Sequence, residues 1–447
     1  MPTDLSNDTT PAVGVDTDTV AVSRVRPAAR TYDAGGTGVS ELLTMTSSGG
    51  HYFYSGNQNI DAVLIGSRWT NLNQTFSFPT SGTNYAGYTT DEPTLLDPFN
   101  AAQQAAVRYG LSLVSSYCGL RFTEITETDT THATHRFAQT RSSSVGSAQG
   151  HFPSSDVGAG DVWFGETNQP YYTTPGIGNW GFATILHEIG HTLGLKHGHS
   201  DYTNVDLSSD LYVTSPRYGT QALTSDRDGQ AYSLMTYRGG IGADVTFQGD
   251  AYNQPQTYMM YDIAALQYLY GANYSTNNSN SVYTFSTTTG EMSINGVGQG
   301  APTSNRVFRT VWDGGGVDTY DLSNYWTDMS LDLSAGGWLV FDTSTSYFQR
   351  ANNEPLSATP NYAPGNVANA LLFQNNSASL IENAIGGSGN DRIYGNRVGN
   401  TLTGNGGNDT EYGAGGDDTL YGNAGNDTLY GDLATAPTTG VGSGTGL

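Results

Sequence analysis

The chain has 447 residues, which is enough for two or three domains with a sizeable core. Its 41 acidic and 17 basic residues give a net charge of -24, which argues against nucleic acid or an anionic membrane surface as a partner and favours cations. The single cysteine, Cys118, excludes an internal disulfide framework. No apolar stretch is long enough to insert into a membrane.

From about residue 60 the pattern predicts a compact region of mixed strands and helices. Alternating apolar and polar residues predict a strand within 68–79, and an alanine-rich periodic stretch predicts a helix over 97–116. Further strands are predicted at 120–125 and at the glycine-bounded segment 160–165. An amphipathic helix is predicted at 258–270, closing this region.

The segment from His187 to His197 has the residue types and offsets of a three-histidine zinc site. On a helix His187 and His191 share one face, with Glu188 beside them. Gly194 can take the left-handed conformation that ends a helix, so the chain can fold back and supply His197 as a third ligand. A fourth position then stays open for water. This pattern predicts metal-assisted hydrolysis of peptide bonds, with Glu188 as the general base.

A simpler interpretation is an amphipathic helix in which the histidines carry no metal. The added glycine and third histidine favour zinc, as does the clustering of four of the eight histidines between residues 187 and 199. The fourth of these, His199, competes with His197 as a ligand by position, but we interpret it as a neighbour of the site.

A second signal is a repeat of nine residues that begins at Gly386 and runs for five units to Tyr430. Position one is glycine, position six is aspartate or asparagine, and position eight is aliphatic in four units. Turn carboxylates and freed backbone carbonyls suit calcium, while the aliphatic residues pack inside a parallel β-roll. Low-complexity disorder is the alternative. The candidate calcium ligands are Gly387, Gly389, Asp391, Gly404, Gly407, Asp409, Gly413, Gly416, Asp418, Gly422, Gly425 and Asp427.

Two units depart from this pattern. The unit 395–403 has Val398 in place of glycine and Asn400 in place of aspartate, which weakens its claim to a full calcium site. The unit 404–412 has Glu411 at the apolar position. Because a buried unpaired carboxylate is costly, we expect the roll to be irregular there.

The segment 187–197 resembles the zinc motif of the metzincin endopeptidases, and Ser233-Leu234-Met235-Thr236-Tyr237 resembles the methionine-containing turn of that clan. The resemblance, closest to the serralysin branch, implies that Met235 lies beneath the zinc ligands. It also implies that Tyr237 binds the zinc or turns toward the developing oxyanion. For either residue alone, ordinary core packing is the alternative.

The same resemblance extends to two other features. Residues 311–319 and 381–387 are similar to serralysin segments that bind calcium between the domains, which implies Asp313, Gly315, Asp318 and Glu382 as ligands. A solvated turn is the alternative. The segment 160–165 is implied to be the edge strand that pairs with an extended substrate, with an ordinary edge strand as the alternative.

These observations predict an α+β metzincin-like catalytic domain, made of a twisted sheet plus helices, followed by an all-β parallel β-roll. The predicted boundaries are a propeptide or disordered tail over 1–30, a catalytic domain over 31–272, and a β-rich connecting region over 273–385. The calcium-binding roll follows over 386–431 and a flexible tail over 432–447. No signal peptide precedes them, since residues 1–24 lack a basic start and an apolar run.

The function expected from the residues and the resemblance is that of a secreted, zinc-dependent and calcium-stabilised endopeptidase. Proteins or peptides are the expected substrates, an inhibitor protein is a further expected partner, and the chain is expected to be a monomer. The resemblance implies type I export to the cell surface or the extracellular space. The alternative is a calcium-dependent surface or adhesion protein that carries a protease-like domain.

Overall fold

The computed structural model describes residues 55–85, 87–165, 169–199, 222–243, 251–353 and 361–431. The propeptide or tail expected over 1–30 and the tail expected over 432–447 lie outside these ranges. Among the helices of the described ranges, none is long and apolar enough to cross a bilayer.

The α-helices lie in the N-terminal part of the described chain. The second helix begins at Ala101 because the Asn100 side chain accepts hydrogen bonds from two backbone amides, while the Gln103 side chain accepts one from the Asn100 amide. This capping box places the start four residues after the predicted one. The helices are α1 (Gln58–Asp61), α2 (Ala101–Tyr117), α3 (Gln169–Thr173), α4 (Trp180–Thr192) and α5 (Met260–Tyr270).

A six-stranded sheet accompanies these helices. Its order is β3-β1-β4-β6-β5, with β2 paired to β4 beside this path. The pairs along this order are parallel except for β5, which runs antiparallel to β6 at one end. The strands are β1 (Asn73–Ser77), β2 (Leu96–Asp97), β3 (Arg121–Glu124), β4 (His135–Thr140), β5 (Ala148–Gly150) and β6 (Asp161–Phe164).

The segment 160–165 is therefore not an edge strand, and that prediction is wrong. Its strand β6 is paired on both sides, and all four of its residues are buried. A short apolar run bounded by glycines is typical of a strand covered on both faces as well as of an edge strand. Among the described residues, β5 forms the edge of the sheet next to β6, and β3 forms the opposite edge.

The C-terminal half is a sandwich of two seven-stranded sheets. One sheet has the order β10-β14-β13-β12-β16-β18-β20, and the other has the order β19-β17-β15-β11-β7-β8-β9. The strands up to residue 385 are β7 (Val282–Phe285), β8 (Met292–Ile294), β9 (Val297–Gly298), β10 (Arg309–Val311), β11 (Thr319–Asp321), β12 (Ser330–Asp332), β13 (Trp338–Val340), β14 (Val367–Asn369) and β15 (Asn383–Ile385). The strands of the repeats are β16 (Arg392–Tyr394), β17 (Thr401–Thr403), β18 (Thr410–Tyr412), β19 (Thr419–Tyr421) and β20 (Thr428–Tyr430).

Each nine-residue unit contributes one strand, and successive units alternate between the two sheets. Residues 18 positions apart therefore pair in parallel, as Ile393 does with Glu411 and Leu402 does with Leu420. Buried side chains of the connecting region and of the repeats, among them Tyr320, Leu331 and Ile393, form one apolar core. The predicted fold class, an α+β domain followed by a parallel β-roll, is confirmed.

Glu411 lies at the centre of β18 and is 0% exposed. It keeps the register of the roll, pairing with Ile393 on one side and Leu429 on the other, and neither carboxylate oxygen has a hydrogen-bond partner. Burial, with smaller contributions from the nearby Asp409 and Asp427, raises the pKa of Glu411 to about 7. The expected irregularity is wrong, because a carboxyl that keeps its proton can occupy the apolar position.

We expect Glu411→Leu to stabilise the roll at pH 8 by about 1–3 kcal/mol, the usual cost of an unsatisfied buried polar group. The pKa of Glu411 in the folded state lies above its ordinary value of 4.5. The wild-type protein is therefore not penalised below pH 4.5, where the carboxyl is protonated in both states, and it loses stability as the pH rises through about 7 and the buried carboxyl ionises. Thermal unfolding of the full chain in saturating calcium measures this. The gain should shrink at pH 4.5, and an equal gain at both pH values would contradict the assignment.

Candidate metal centre and active site

Helix α4 carries the first part of the zinc motif and begins at a side-chain cap, where Asn179 accepts a hydrogen bond from the Phe182 amide. The helix ends as the sequence predicts, with Gly194 at a φ of 99°. A Cβ there would also collide with the Ser67 carbonyl oxygen. Only glycine fits this turn.

The chain then returns along residues 63–65. The Ile65 amide donates to the Gly194 carbonyl at 3.0 Å, and the Lys196 amide donates to the Val63 carbonyl at 2.8 Å. These bonds fix the direction of the segment that follows the helix, so they fix the position of His197.

His187, His191 and His197 meet at one point. Their ligand atoms lie within 4.8 Å of one another, and the Nε2 atom of His197 is 3.0 Å from that of His187 and 3.1 Å from that of His191. Nitrogen ligands at zinc bond lengths of about 2.0–2.1 Å around a tetrahedral centre are roughly 3.3 Å apart. The spacing therefore fits a single zinc ion.

The remaining ring nitrogens of the two helical ligands face backbone carbonyl groups. His187 Nδ1 lies 3.0 Å from the Leu234 oxygen, and His191 Nδ1 lies 2.8 Å from the Leu195 oxygen. A carbonyl oxygen only accepts, so both Nδ1 atoms carry the proton and both Nε2 atoms present lone pairs.

The rings are held neutral. Burial lowers the pKa of His187 to about 3, with a further contribution from His191, and burial lowers the pKa of His191 to about 4. The pKa of His197 is lowered well below its ordinary value, first by burial and then by the neighbouring histidines. Neutral imidazoles are the form that binds zinc.

The turn that carries Met235 and Tyr237 lies against this centre. Met235 is fully buried, and a Cβ on Gly190 of the zinc helix would approach its Sδ to 2.7 Å. The Tyr237 ring is 4.3 Å from the ring of His197 and 5.8 Å from that of His187, measured between centroids. His199 packs beside Tyr237 at 4.8 Å and lies outside the three-histidine group.

Glu188 is 2% exposed, next to its neighbour His187 in α4. Strand β5 crosses this part of the helix so closely that a Cβ on Gly150 would collide with the Glu188 carbonyl oxygen and approach His191 Cβ to 3.0 Å. Phe152, just after the strand, packs edge-on to the His191 ring at 5.2 Å. The edge of the sheet thus lies beside the zinc centre.

A second group of candidate ligands lies where the α+β region meets the sandwich. Asp313 and Asp318 are buried neighbours, and the Glu382 carboxylate accepts a hydrogen bond from the Asp318 amide at 2.8 Å. The Gly315 amide donates to Asp313 at 2.7 Å. Burial raises the pKa of Asp313 to about 7 and raises that of Asp318, whose buried Oδ2 has no hydrogen-bond partner. Buried carboxylates placed together in this way fit a divalent cation.

The position-six carboxylates of the repeats form a ladder. The Asp391 amide donates to Asp409 at 2.7 Å, and the Asp409 amide donates to Asp427 at 3.0 Å. On the opposite side the Asn400 amide donates to Asp418 at 2.9 Å. Asp409 Oδ2 is buried without a partner, and burial raises the pKa of Asp391 to about 7. These carboxylates suit hard cations.

The repeat glycines leave space for this ladder. Cβ atoms on several of them would crowd the aspartate of the same unit, and others would collide with the backbone of the turn above or have positive φ. The first kind is Gly404, Gly413 and Gly422, and the second is Gly387, Gly389, Gly407, Gly416 and Gly425. Asn400 has no carboxylate to add to the ladder, and the NH₂ group of its side chain donates instead to the Glu382 backbone carbonyl at 2.7 Å.

Some contributors to the site carry no sequence signal. The carbonyl groups of Leu195 and Leu234 orient the histidines, yet any residue can supply a carbonyl. The strand that contains Gly150 has only three residues, which is too short to show a periodic pattern in the sequence. Asp262, described below, is 28 residues from the amide that it binds.

Fold and site together define a metzincin-type zinc centre joined to a calcium-binding β-roll. Residues 272–340 match the family described as Peptidase M10 serralysin C terminal, and residues 385–419 and 403–434 match the RTX calcium-binding nonapeptide repeat. The repeat match supports calcium as a cofactor of this chain.

Known relatives give the family itself. The chain is 31% identical to the metalloprotease AprA of Pseudomonas entomophila over 391 residues, covering 84% of this chain and 69% of that protein. It is 35% identical to the serralysin of Proteus mirabilis over 244 residues, 55% of this chain and 41% of that protein. It is 33% identical to serralysin G of Dickeya chrysanthemi over 312 residues, 68% of this chain and 55% of that protein. The chain belongs to the serralysin family, and it spans about half the length of most of these relatives.

Asp409→Asn should weaken calcium binding to the repeats by about tenfold or more, because it removes the charge of a candidate ligand. Calcium titration of the full chain, followed by far-ultraviolet circular dichroism and calorimetry, measures this. Asp332→Asn is the control, since Asp332 lies in the same sandwich, accepts hydrogen bonds from Ser334 and is not one of the candidate calcium ligands. Equal calcium affinity in wild type and Asp409→Asn would contradict the ligand assignment.

Proposed function

We propose that this chain is a secreted, zinc-dependent endopeptidase that hydrolyses peptide bonds in proteins. The observation that carries the proposal is the convergence of three neutral imidazoles beside a carboxylate, directly under the edge strand of a sheet. Membership of the serralysin family supports the same activity.

The substrate binds as an added strand. Strand β5 pairs on one side with β6 and has no strand on its other side among the described residues. An extended peptide can hydrogen-bond to such an edge. Because Gly150 lies close to α4, a peptide paired with β5 would pass over the helix next to Glu188. Backbone pairing would position the scissile peptide bond through main-chain hydrogen bonds, which do not depend on most of the substrate's side chains.

His187, His191 and His197 are the residues that would hold the ion. Zinc bound there supplies a Lewis acid that polarises the scissile carbonyl and makes a water acidic near neutral pH. Glu188 takes the proton of the attacking water and delivers it to the leaving amine. Tyr237, packed against His197, would either help to hold the ion or donate a hydrogen bond from its phenolic O–H to the developing oxyanion.

The calcium sites fit a protein that acts outside the cell. Asp313, Gly315, Asp318 and Glu382, together with the repeat residues, are the proposed ligands, and extracellular calcium would neutralise their buried charge. Before that neutralisation the close carboxylates oppose compact folding. This is consistent with export by the type I route, followed by folding in calcium.

Glu188→Gln tests the assignment of the base. The variant should keep one zinc per chain but hydrolyse casein on the order of 10²–10⁴-fold more slowly, because the amide cannot accept the water proton. Zinc content by mass spectrometry and initial hydrolysis rates give the two readouts. Glu124→Gln, at an exposed carboxylate that pairs with Arg108, is the control and should match wild type.

Near wild-type turnover in Glu188→Gln would refute the base assignment. A wild-type protein that binds zinc but cleaves no protein in the presence of calcium would favour the alternative of a calcium-dependent surface or adhesion protein.

A further inference from the structure

Asp262 lies in the first turn of α5 and is 0% exposed. Its carboxylate accepts hydrogen bonds from Ser233 Oγ at 2.6 Å, from the Leu234 amide at 2.7 Å and from the Met259 amide at 3.0 Å. The bond from Met259 caps its own helix. The other two reach the turn that carries Met235, so the carboxylate has a role beyond capping.

The turn bound by Asp262 also contacts the zinc centre. The Leu234 residue that donates its amide to Asp262 directs its carbonyl oxygen to His187 Nδ1 at 3.0 Å. Ser233 Oγ, held by Asp262, accepts a hydrogen bond from the Met235 amide at 3.0 Å. One buried carboxylate therefore fixes the residues before and after Leu234.

We propose that Asp262 is a positioning residue of the zinc site. It holds the 233–235 turn so that the Leu234 carbonyl keeps the proton of His187 on Nδ1 and leaves Nε2 free for the metal. The proposal rests on zinc binding as described under Proposed function.

The chemistry of the three donors explains why a carboxylate is needed. Two backbone N–H groups and one hydroxyl converge on it, and a carboxylate offers only acceptors. In Asp262→Asn the charge that strengthens these bonds is lost, and an NH₂ group replaces one acceptor oxygen. If the NH₂ group faces the two backbone amides, which share one carboxylate oxygen, their bonds are lost; if it faces Ser233 Oγ, that hydroxyl must accept where it donated before. Either way the turn is held less firmly, and the Leu234 carbonyl can move away from His187.

Asp262→Asn should therefore bind zinc 10–100-fold more weakly than wild type, the usual effect of losing a group that orients a metal ligand. Zinc affinity is measured by competition with a chromophoric chelator, on calcium-loaded full-length protein that circular dichroism shows to be folded. Ser233→Ala removes the hydroxyl and its bonds with Asp262 and the Met235 amide but keeps the bond from the Leu234 amide to Asp262, so it should give a smaller loss in the same direction.

The matched control is Asp342→Asn. Asp342 is another buried carboxylate that accepts backbone amides, those of Ser344 and Phe348, and it lies in the connecting region. This variant should lower the melting temperature without changing zinc affinity.

The outcomes separate two failures. If folded Asp262→Asn and Ser233→Ala bind zinc as tightly as wild type and only melt at lower temperature, Asp262 is merely structural and the inference is wrong. If Asp262→Asn does not fold, the result for Ser233→Ala decides. A wild-type protein that binds no zinc would instead contradict the proposed function.

Discussion

Three imidazole nitrogens converge on one point, with the Nε2 atom of His197 at 3.0 Å from that of His187 and at 3.1 Å from that of His191. The protons of His187 and His191 are committed to backbone carbonyl groups, and burial keeps the rings neutral. Nitrogen lone pairs aimed at one point repel unless a proton or a metal cation lies between them, and the spacing of these three nitrogens fits zinc. The capped helix, the left-handed turn at Gly194 and the return along residues 63–65 all serve to hold this arrangement.

The sandwich applies the same principle with a different donor. Buried carboxylates stack along the roll and at its junction with the α+β region, where burial opposes their negative charge. Anionic oxygens favour calcium, whereas neutral imidazoles favour zinc, so the two metals are sorted by ligand chemistry. Glu411 is an exception among these carboxylates. It is buried at an apolar position of the roll, and its charge is avoided by protonation instead of by a bound cation.

Most of the correct predictions from the sequence come from local patterns. The zinc motif, the turn at Met235 and the nine-residue period each lie within short segments whose spacing reflects a helix or a repeated turn. The structure brings Tyr237 to the three histidines and stacks the repeat aspartates in a ladder. The edge strand was assigned wrongly because strand order depends on pairing between distant segments, and β5 has only three residues. Asp262 gave no signal, because its partners lie on another element.

Zinc K-edge X-ray absorption spectroscopy of the calcium-loaded protein is the most direct measurement of the central claim. The account predicts three imidazole nitrogens at about 2.0–2.1 Å, with the multiple scattering typical of histidine and an oxygen in the remaining shell. A shell of oxygen alone, or one containing sulfur, would contradict it.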